Sequence, residues 1–179
     1  MLAPRKKLWS TPMEVIEKAI ELLKVTDEDL VYDIGAGDGR FIMKCCEDTG
    51  ATCVGVEIDS DRGEEAVAAI HEKSLTKCRM IIGNALEQDY SEATCIFMYL
   101  IPRGLSIMLP ILQSALKGNT RVVTYMSPLS GLEPIEIVKV STAAHPDAQW
   151  PLYLYNISKK EDNYNIPTEP IPDIIDSHS

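Results

Sequence analysis

Two carboxylates and a glycine turn carry the clearest chemistry in this chain of 179 residues. The apolar stretch Val31-Tyr32-Asp33-Ile34 runs into Gly35-Ala36-Gly37-Asp38-Gly39-Arg40, where glycines let the backbone swing close to a ligand. The spacing G-x-G-x-G departs from the G-x-G-x-x-G of dinucleotide sites, in which a pyrophosphate rests on a helix N-terminus. Asp33 stands two residues ahead of the first glycine. Its charge there would repel a pyrophosphate and attract a cationic sulfonium or α-ammonium. A second acid, Glu57, follows Gly39 by 18 residues and closes the next apolar stretch. The pattern points to S-adenosylmethionine rather than NAD.

The elements that must position these residues alternate between helix and strand periodicity. Thr11-Pro12-Met13-Glu14 reads as a capping box with proline at the first helical position, and Val15, Ile16, Ala19, Ile20 and Leu23 continue it as an apolar stripe. Strands are predicted at 30–34, 52–56, 78–82, 94–100, 120–126, 135–140 and 152–157. Helices are predicted from the glycine turn to Gly50, at 61–73, and through Leu105, Met108, Leu109, Leu112 and Leu116. In the last of these Gly118 reads as the C-cap, and Pro110 must sit in a first turn or at a kink. Asp38 reads as an N-cap more readily than as a ligand. No helix is evident between the fifth and sixth strands. The expectation is an α/β fold: a doubly wound, mostly parallel seven-stranded Rossmann-like sheet, antiparallel at its C-terminal edge, with ligands at the carboxyl ends of the strands.

At these motifs the chain resembles the class I, seven-strand S-adenosylmethionine-dependent methyltransferases. Val31 to Arg40 matches their first motif and Val54 to Asp59 their second, and the likeness runs from about Trp9 to Ser158. The resemblance implies that Asp33 and the turn Gly35, Ala36, Gly37 and Gly39 cradle the methionine end of the cofactor. It makes Glu57 the ribose ligand, whose two oxygens can accept from both hydroxyls at once, and lays Ile58 on the adenine face. After the third strand, where the family usually shows an acid, this chain has Asn84 and Ala85; the Asn84 amide oxygen can still accept from the adenine amino group.

The segment after the fourth strand, Phe97-Met98-Tyr99-Leu100-Ile101-Pro102-Arg103, lacks the Asn/Asp-Pro-Pro-Tyr/Phe quartet of amino-directed nucleic-acid methyltransferases. It is similar to a compact subgroup of protein-lysine methyltransferases, which also share a Thr-Pro before the first helix and strand-five residues like Thr120-Arg121-Val122-Val123. That resemblance implies methyl transfer to a protein lysine by in-line displacement. Tyr99, Leu100, Ile101 and Pro102 would wall the lysine channel, with Trp9 and Thr11 facing them. Tyr99, Pro102 and Thr11 are thus the candidate catalytic residues, and no metal or covalent nucleophile is called for. The alternatives are an RNA, DNA or small-molecule methyltransferase, or a domain that binds the cofactor and regulates a partner without turnover.

Composition bounds the rest. With 45% hydrophobic and 25% charged residues the chain is expected to be one domain over 1–160, followed by a proline-bearing tail at 161–179. Its 17 basic and 27 acidic residues give a net charge of −10, which argues against nucleic acid and for a basic, lysine-bearing protein partner. The Arg5-Lys6-Lys7 arm is the one local exception. Cys45, Cys46, Cys53, Cys78 and Cys95 form no C-x-x-C pair and read as small core residues, while His71, His145 and His178 stand far apart. No apolar run is long enough to span a bilayer. A cytoplasmic location is expected, with a mitochondrial one as the alternative.

Overall fold

The apolar stretches become seven strands: β1 (Leu30–Ile34), β2 (Thr52–Glu57), β3 (Cys78–Ile82), β4 (Cys95–Met98), β5 (Thr120–Tyr125), β6 (Glu136–Thr142) and β7 (His145–Ile157). The computed structural model describes residues 10–158; Trp9, the Arg5-Lys6-Lys7 arm and the 161–179 tail lie outside the described residues. One sheet holds all seven strands in the order β3-β2-β1-β4-β5-β7-β6. The first five pair in parallel, and β7 pairs antiparallel with both β5 and β6. This is the predicted fold class. The antiparallel edge follows from the chain itself, because only Ala143 and Ala144 join β6 to β7, and a two-residue connection can join only antiparallel strands.

Side chains alternate across the sheet. Val31, Cys53, Cys95, Phe97 and Val123 enter a core with α1 (Met13–Leu23), α2 (Arg40–Thr49) and Ile70 of α3 (Ser60–Glu72). Tyr32, Ile34, Val54, Val56, Ile96, Met98 and Val122 enter a second core with α4 (Pro102–Ala115). On the first face Phe41 of α2 stacks on Phe97 with ring centroids 4.3 Å apart. All five cysteines are buried and unpaired by disulfides. Burial pushes the Cys78 and Cys95 thiols up, to about 12 and about 11, so they pack as apolar groups and stay protonated.

Three local expectations fail: the capping box, the Gly118 C-cap and the start of the seventh strand. The capping box is not formed: α1 starts at Met13 with no side-chain cap. Glu14 instead accepts from the Ala143 N–H at 2.9 Å in the β6–β7 turn, and the Pro12 carbonyl takes the Val15 and Ile16 N–H groups. Pro110 lies in the interior of α4 rather than in its first turn, on the exposed side, where the missing N–H faces water. The C-cap of α4 is Leu116, not Gly118. Strand β7 also begins seven residues before the predicted Leu152, since its outer half pairs only with β6.

The amino ends of β1, β4 and β5 are locked by Asp29. Its carboxylate accepts from the Thr26 N–H at 2.8 Å, from the Thr94 hydroxyl at 2.7 Å and from the Arg121 guanidinium. Burial alone would raise the Asp29 carboxyl, but those three partners together hold it below its ordinary value. A carboxyl lowered by folding contributes stability that is fully present above its unfolded value of about 3.9 and is lost as the pH falls through its folded value. Asp29→Ala should therefore cost about 2–4 kcal/mol at neutral pH. Urea unfolding of both proteins at pH 7 and near pH 3 checks this, and the gap should shrink in acid.

Candidate active site at the carboxyl ends of the strands

Four chemistry-bearing side chains leave the sheet on its α1–α2 face at the carboxyl ends of neighbouring strands: Asp33 of β1, Glu57 of β2, Tyr99 just past β4 and Tyr125 of β5. The register places Asp33 opposite Gly55 on one side and Phe97 on the other, and Phe97 opposite Val123. Tyr99 and Tyr125 lie two residues beyond those partners and so share their face. The strand order reverses at β1, the switch point at which a doubly wound sheet opens its crevice.

The turn after β1 is shaped by backbone conformation. Gly35, Gly37 and Gly39 have φ of 85°, 57° and 75°, a region that side-chain-bearing residues enter at a cost. The Gly35 and Ala36 N–H groups both donate to the Val56 carbonyl, at 2.9 and 3.0 Å, which clamps the turn onto β2. Gly55 makes room beneath it, since a Cβ there would come within 2.8 Å of the Ala36 Cβ and 2.5 Å of the Met80 sulfur. A Cβ at Gly37 would meet nothing within 4 Å, so the turn faces open space.

Glu57 joins this turn to the next. One carboxylate oxygen accepts from the Gly37 N–H at 2.7 Å and the other from the Asp59 N–H at 2.9 Å. Each oxygen keeps a free lone pair. Asp33 is 4% exposed; its burial, and then the negative charges of Glu57 and Asp38, push its carboxyl well above the ordinary range. Asp38 is turned to Arg40, whose Nη2 reaches it at 2.6 Å and whose Nε reaches both oxygens at 3.0 and 3.1 Å. Asp38 also accepts from the Arg40 N–H at 3.3 Å. Asp38 is thus not the N-cap that its place in the sequence suggests: Gly39 holds that position, with no side-chain cap, and Asp38 is bound instead to Arg40. The surplus of negative charge around Asp33, beside a turn open to solvent, fits a ligand with a cationic centre.

The other sequence-predicted residues stand around the same edge. Ile58, directly after Glu57, is 72% exposed, an apolar surface beside the Glu57 carboxylate. Asn84 and the buried Ala85 follow β3 at the start of a 3-10 turn. The Asn84 side chain accepts from the Leu86 N–H and donates to Glu87, both at 3.1 Å, which leaves one lone pair on its amide oxygen. Tyr99 is half-buried and its ring leans on Tyr125 with centroids 4.7 Å apart. Leu100 is buried, while Ile101 and Pro102, the first residue of α4, are exposed. Thr11 is buried ahead of α1, and its carbonyl accepts from Arg40 Nη1 at 3.4 Å.

Sequence reasoning missed Arg40, Tyr125 and Met126. In the sequence Arg40 only ends the glycine motif, whereas its side chain links the glycine turn to Thr11. Tyr125 occupies the same place on β5 that Tyr99 occupies past β4, a match that aligning the two apolar stretches would have shown. Burial pushes both phenols up, Tyr125 to about 12, so both are neutral at pH 7. Met126 closes β5 with φ of 73°, held by its N–H donating to the Pro151 carbonyl at 2.9 Å. Such strained residues cluster where the chain is shaped for a ligand.

The chain is similar to one known family and to three known proteins. The sequence profile of the ANTKMT methyltransferase domain matches residues 33–136. A protein-lysine N-methyltransferase of Saccharolobus islandicus is 36% identical over 151 residues, spanning 83% of this chain and 92% of its own. The crystal structure of an RNA methyltransferase from Salinibacter ruber in complex with S-adenosyl-L-homocysteine superposes with a TM-score of 0.77 at 30% identity, covering 84% of this chain and 95% of that one. A precorrin-6y C5,15-methyltransferase from Geobacter metallireducens, at a TM-score of 0.68 and 17% identity, shares the fold.

The Asp33 cluster makes a prediction of opposite sign to the usual one. A carboxyl raised by folding favours its protonated form, so it costs stability once the pH exceeds its unfolded value, and the cost grows until the pH passes the folded value. Asp33→Asn should therefore stabilise the unliganded protein by about 1 kcal/mol at neutral pH, raising Tm by about 2–4 °C. Melting curves from pH 4 to pH 8 test it; the advantage should vanish toward pH 4.

Proposed function

The chain belongs to the ANTKMT methyltransferase domain family and is an S-adenosylmethionine-dependent methyltransferase, and from that premise we propose that it methylates a lysine side chain of a protein. The observation that carries the reading is the apolar, aromatic exit of β4 and β5, supported by the Saccharolobus islandicus relative, whose match extends over nearly its whole length. When bound, S-adenosylmethionine supplies a methyl carbon on a cationic sulfur. In the proposed site Asp33 and the turn Gly35, Ala36, Gly37 and Gly39 hold its methionine end. Glu57 takes the ribose hydroxyls on its free lone pairs, Ile58 lies on the adenine, and Asn84 and Ala85 border the adenine edge.

A lysine can attack only as the neutral amine. With an ordinary pKa of about 10.4, deprotonation at pH 7 costs about 5 kcal/mol. Burial against Leu100, Ile101, Pro102 and the neutral phenols of Tyr99 and Tyr125 disfavours the ammonium and offsets that cost. Among the described residues from Tyr99 to Pro102 and from Tyr125 to Ser127 there is no carboxylate to hold the charged form. As the nitrogen–carbon bond forms and the carbon–sulfur bond breaks, the proton left on the nitrogen departs to solvent. The contribution of Tyr99, Pro102 and Thr11 is alignment, and alignment is worth up to about 7–11 kcal/mol in such displacements.

A second reading, an RNA substrate, is favoured by the Salinibacter ruber structure named as an RNA methyltransferase. The net charge of −10 and the absence of the Asn/Asp-Pro-Pro-Tyr/Phe quartet speak against it. Incubation of the full chain with methyl-labelled cofactor and a cell extract, followed by protease or nuclease, separates the two: label should be released by protease, and release by nuclease would overturn the lysine reading. Within the cofactor site, Glu57→Ala should weaken S-adenosylmethionine binding by about 1.5–3 kcal/mol, since two charge-assisted hydrogen bonds are lost. Calorimetric titration measures this, and unchanged affinity would remove Glu57 from the site.

A further inference from the structure

Arg40 ends the stretch that matches the first methyltransferase motif, and its guanidinium touches two segments that the proposed function assigns to cofactor and substrate. It grips Asp38 in the glycine turn, the proposed methionine-end cradle, with three contacts of 2.6–3.1 Å. With its remaining edge it donates to the Thr11 carbonyl at 3.4 Å, 29 residues away in sequence. Thr11 lies just ahead of α1, in the segment to which the proposed function gives alignment of the substrate. The Arg40 contact thus ties the segment leading into α1 to the turn.

We propose that Arg40 is a positioning residue that transmits occupancy of the glycine turn to the segment carrying Thr11, so that filling the cofactor cradle orders the substrate side. The inference rests on the placement of the cofactor given above. A planar guanidinium can hold a carboxylate with one edge and a carbonyl with another, whereas an ammonium is a single point of attachment. A ligand that fixes Asp38 therefore fixes Arg40 and, through it, the Thr11 backbone. By linkage, order imposed on Thr11 by a substrate returns to the turn as tighter cofactor binding.

The test uses hydrogen exchange of the full chain with S-adenosylhomocysteine as the probe, so it depends neither on turnover nor on the identity of the target. In the wild type, saturating S-adenosylhomocysteine should slow exchange of the amides of residues 10–16 by about tenfold. Arg40→Lys keeps a cation beside Asp38, so calorimetric affinity for S-adenosylhomocysteine should stay within about threefold of the wild type, while the slowing at residues 10–16 disappears. Arg40→Met, compared at its own saturating concentration, should also lose the slowing. Slowing that persists in both variants, or is absent from the wild type although S-adenosylhomocysteine binds, overturns the proposal. Failure of S-adenosylhomocysteine to bind the wild type overturns instead the cofactor placement on which it rests.

Discussion

A carboxyl group held out of water beside two other carboxylates is a costly arrangement, and the carboxyl edge of this sheet is organised around one. Asp33 is placed there by the register of β1 between β2 and β4, and it cannot move without moving the switch strand. Its neighbours keep the cluster uncompensated: Glu57 spends its two charge-bearing oxygens on backbone N–H groups, and Arg40 spends its cation on Asp38. Desolvation and like charge therefore fall on Asp33 with no internal relief. A ligand that brings its own positive centre would supply that relief.

The first face of the sheet is covered by helices, and the second is not covered in the same way. Residues 126–135 cross back from β5 to β6 with no helix, and Leu129 and Leu132 from this segment fill the second core beside α4. The Leu129 N–H is held by the Tyr155 hydroxyl at 2.9 Å. Ile135 and Ile137, at the far end of that crossing, are 66% and 54% exposed. All four candidate side chains sit on the fully covered face, so the thin second layer leaves the site's support intact.

How much of this could be read from the sequence depended on how local the determining interaction is. The strands, the glycine turn and the acids at 33 and 57 follow from patterns within a few residues, and the structure places each at the carboxyl edge. The capping box at Thr11 was misread because Glu14 found a better donor 129 residues away, in a turn that local pattern cannot see. Gly118 looked like a stop, but α4 ends earlier, where the Leu116 N–H closes onto Leu112. Tyr125 and Arg40 escaped notice for a related reason. Their roles arise from the pairing of β4 with β5 and from the approach of α1 to the turn, and only the assembled sheet brings those segments together.

The double anchoring of Glu57 also has a kinetic side. A glutamate free in solution samples many rotamers, and fixing it on binding costs about 1 kcal/mol or more. Here the Gly37 and Asp59 amides fix the side chain as the protein folds, so in the proposed site a diol would meet an acceptor pair already oriented and half used. Association at this end of the site then requires no search by the carboxylate, and differences in affinity between ligands that share the diol should appear as differences in how slowly they leave.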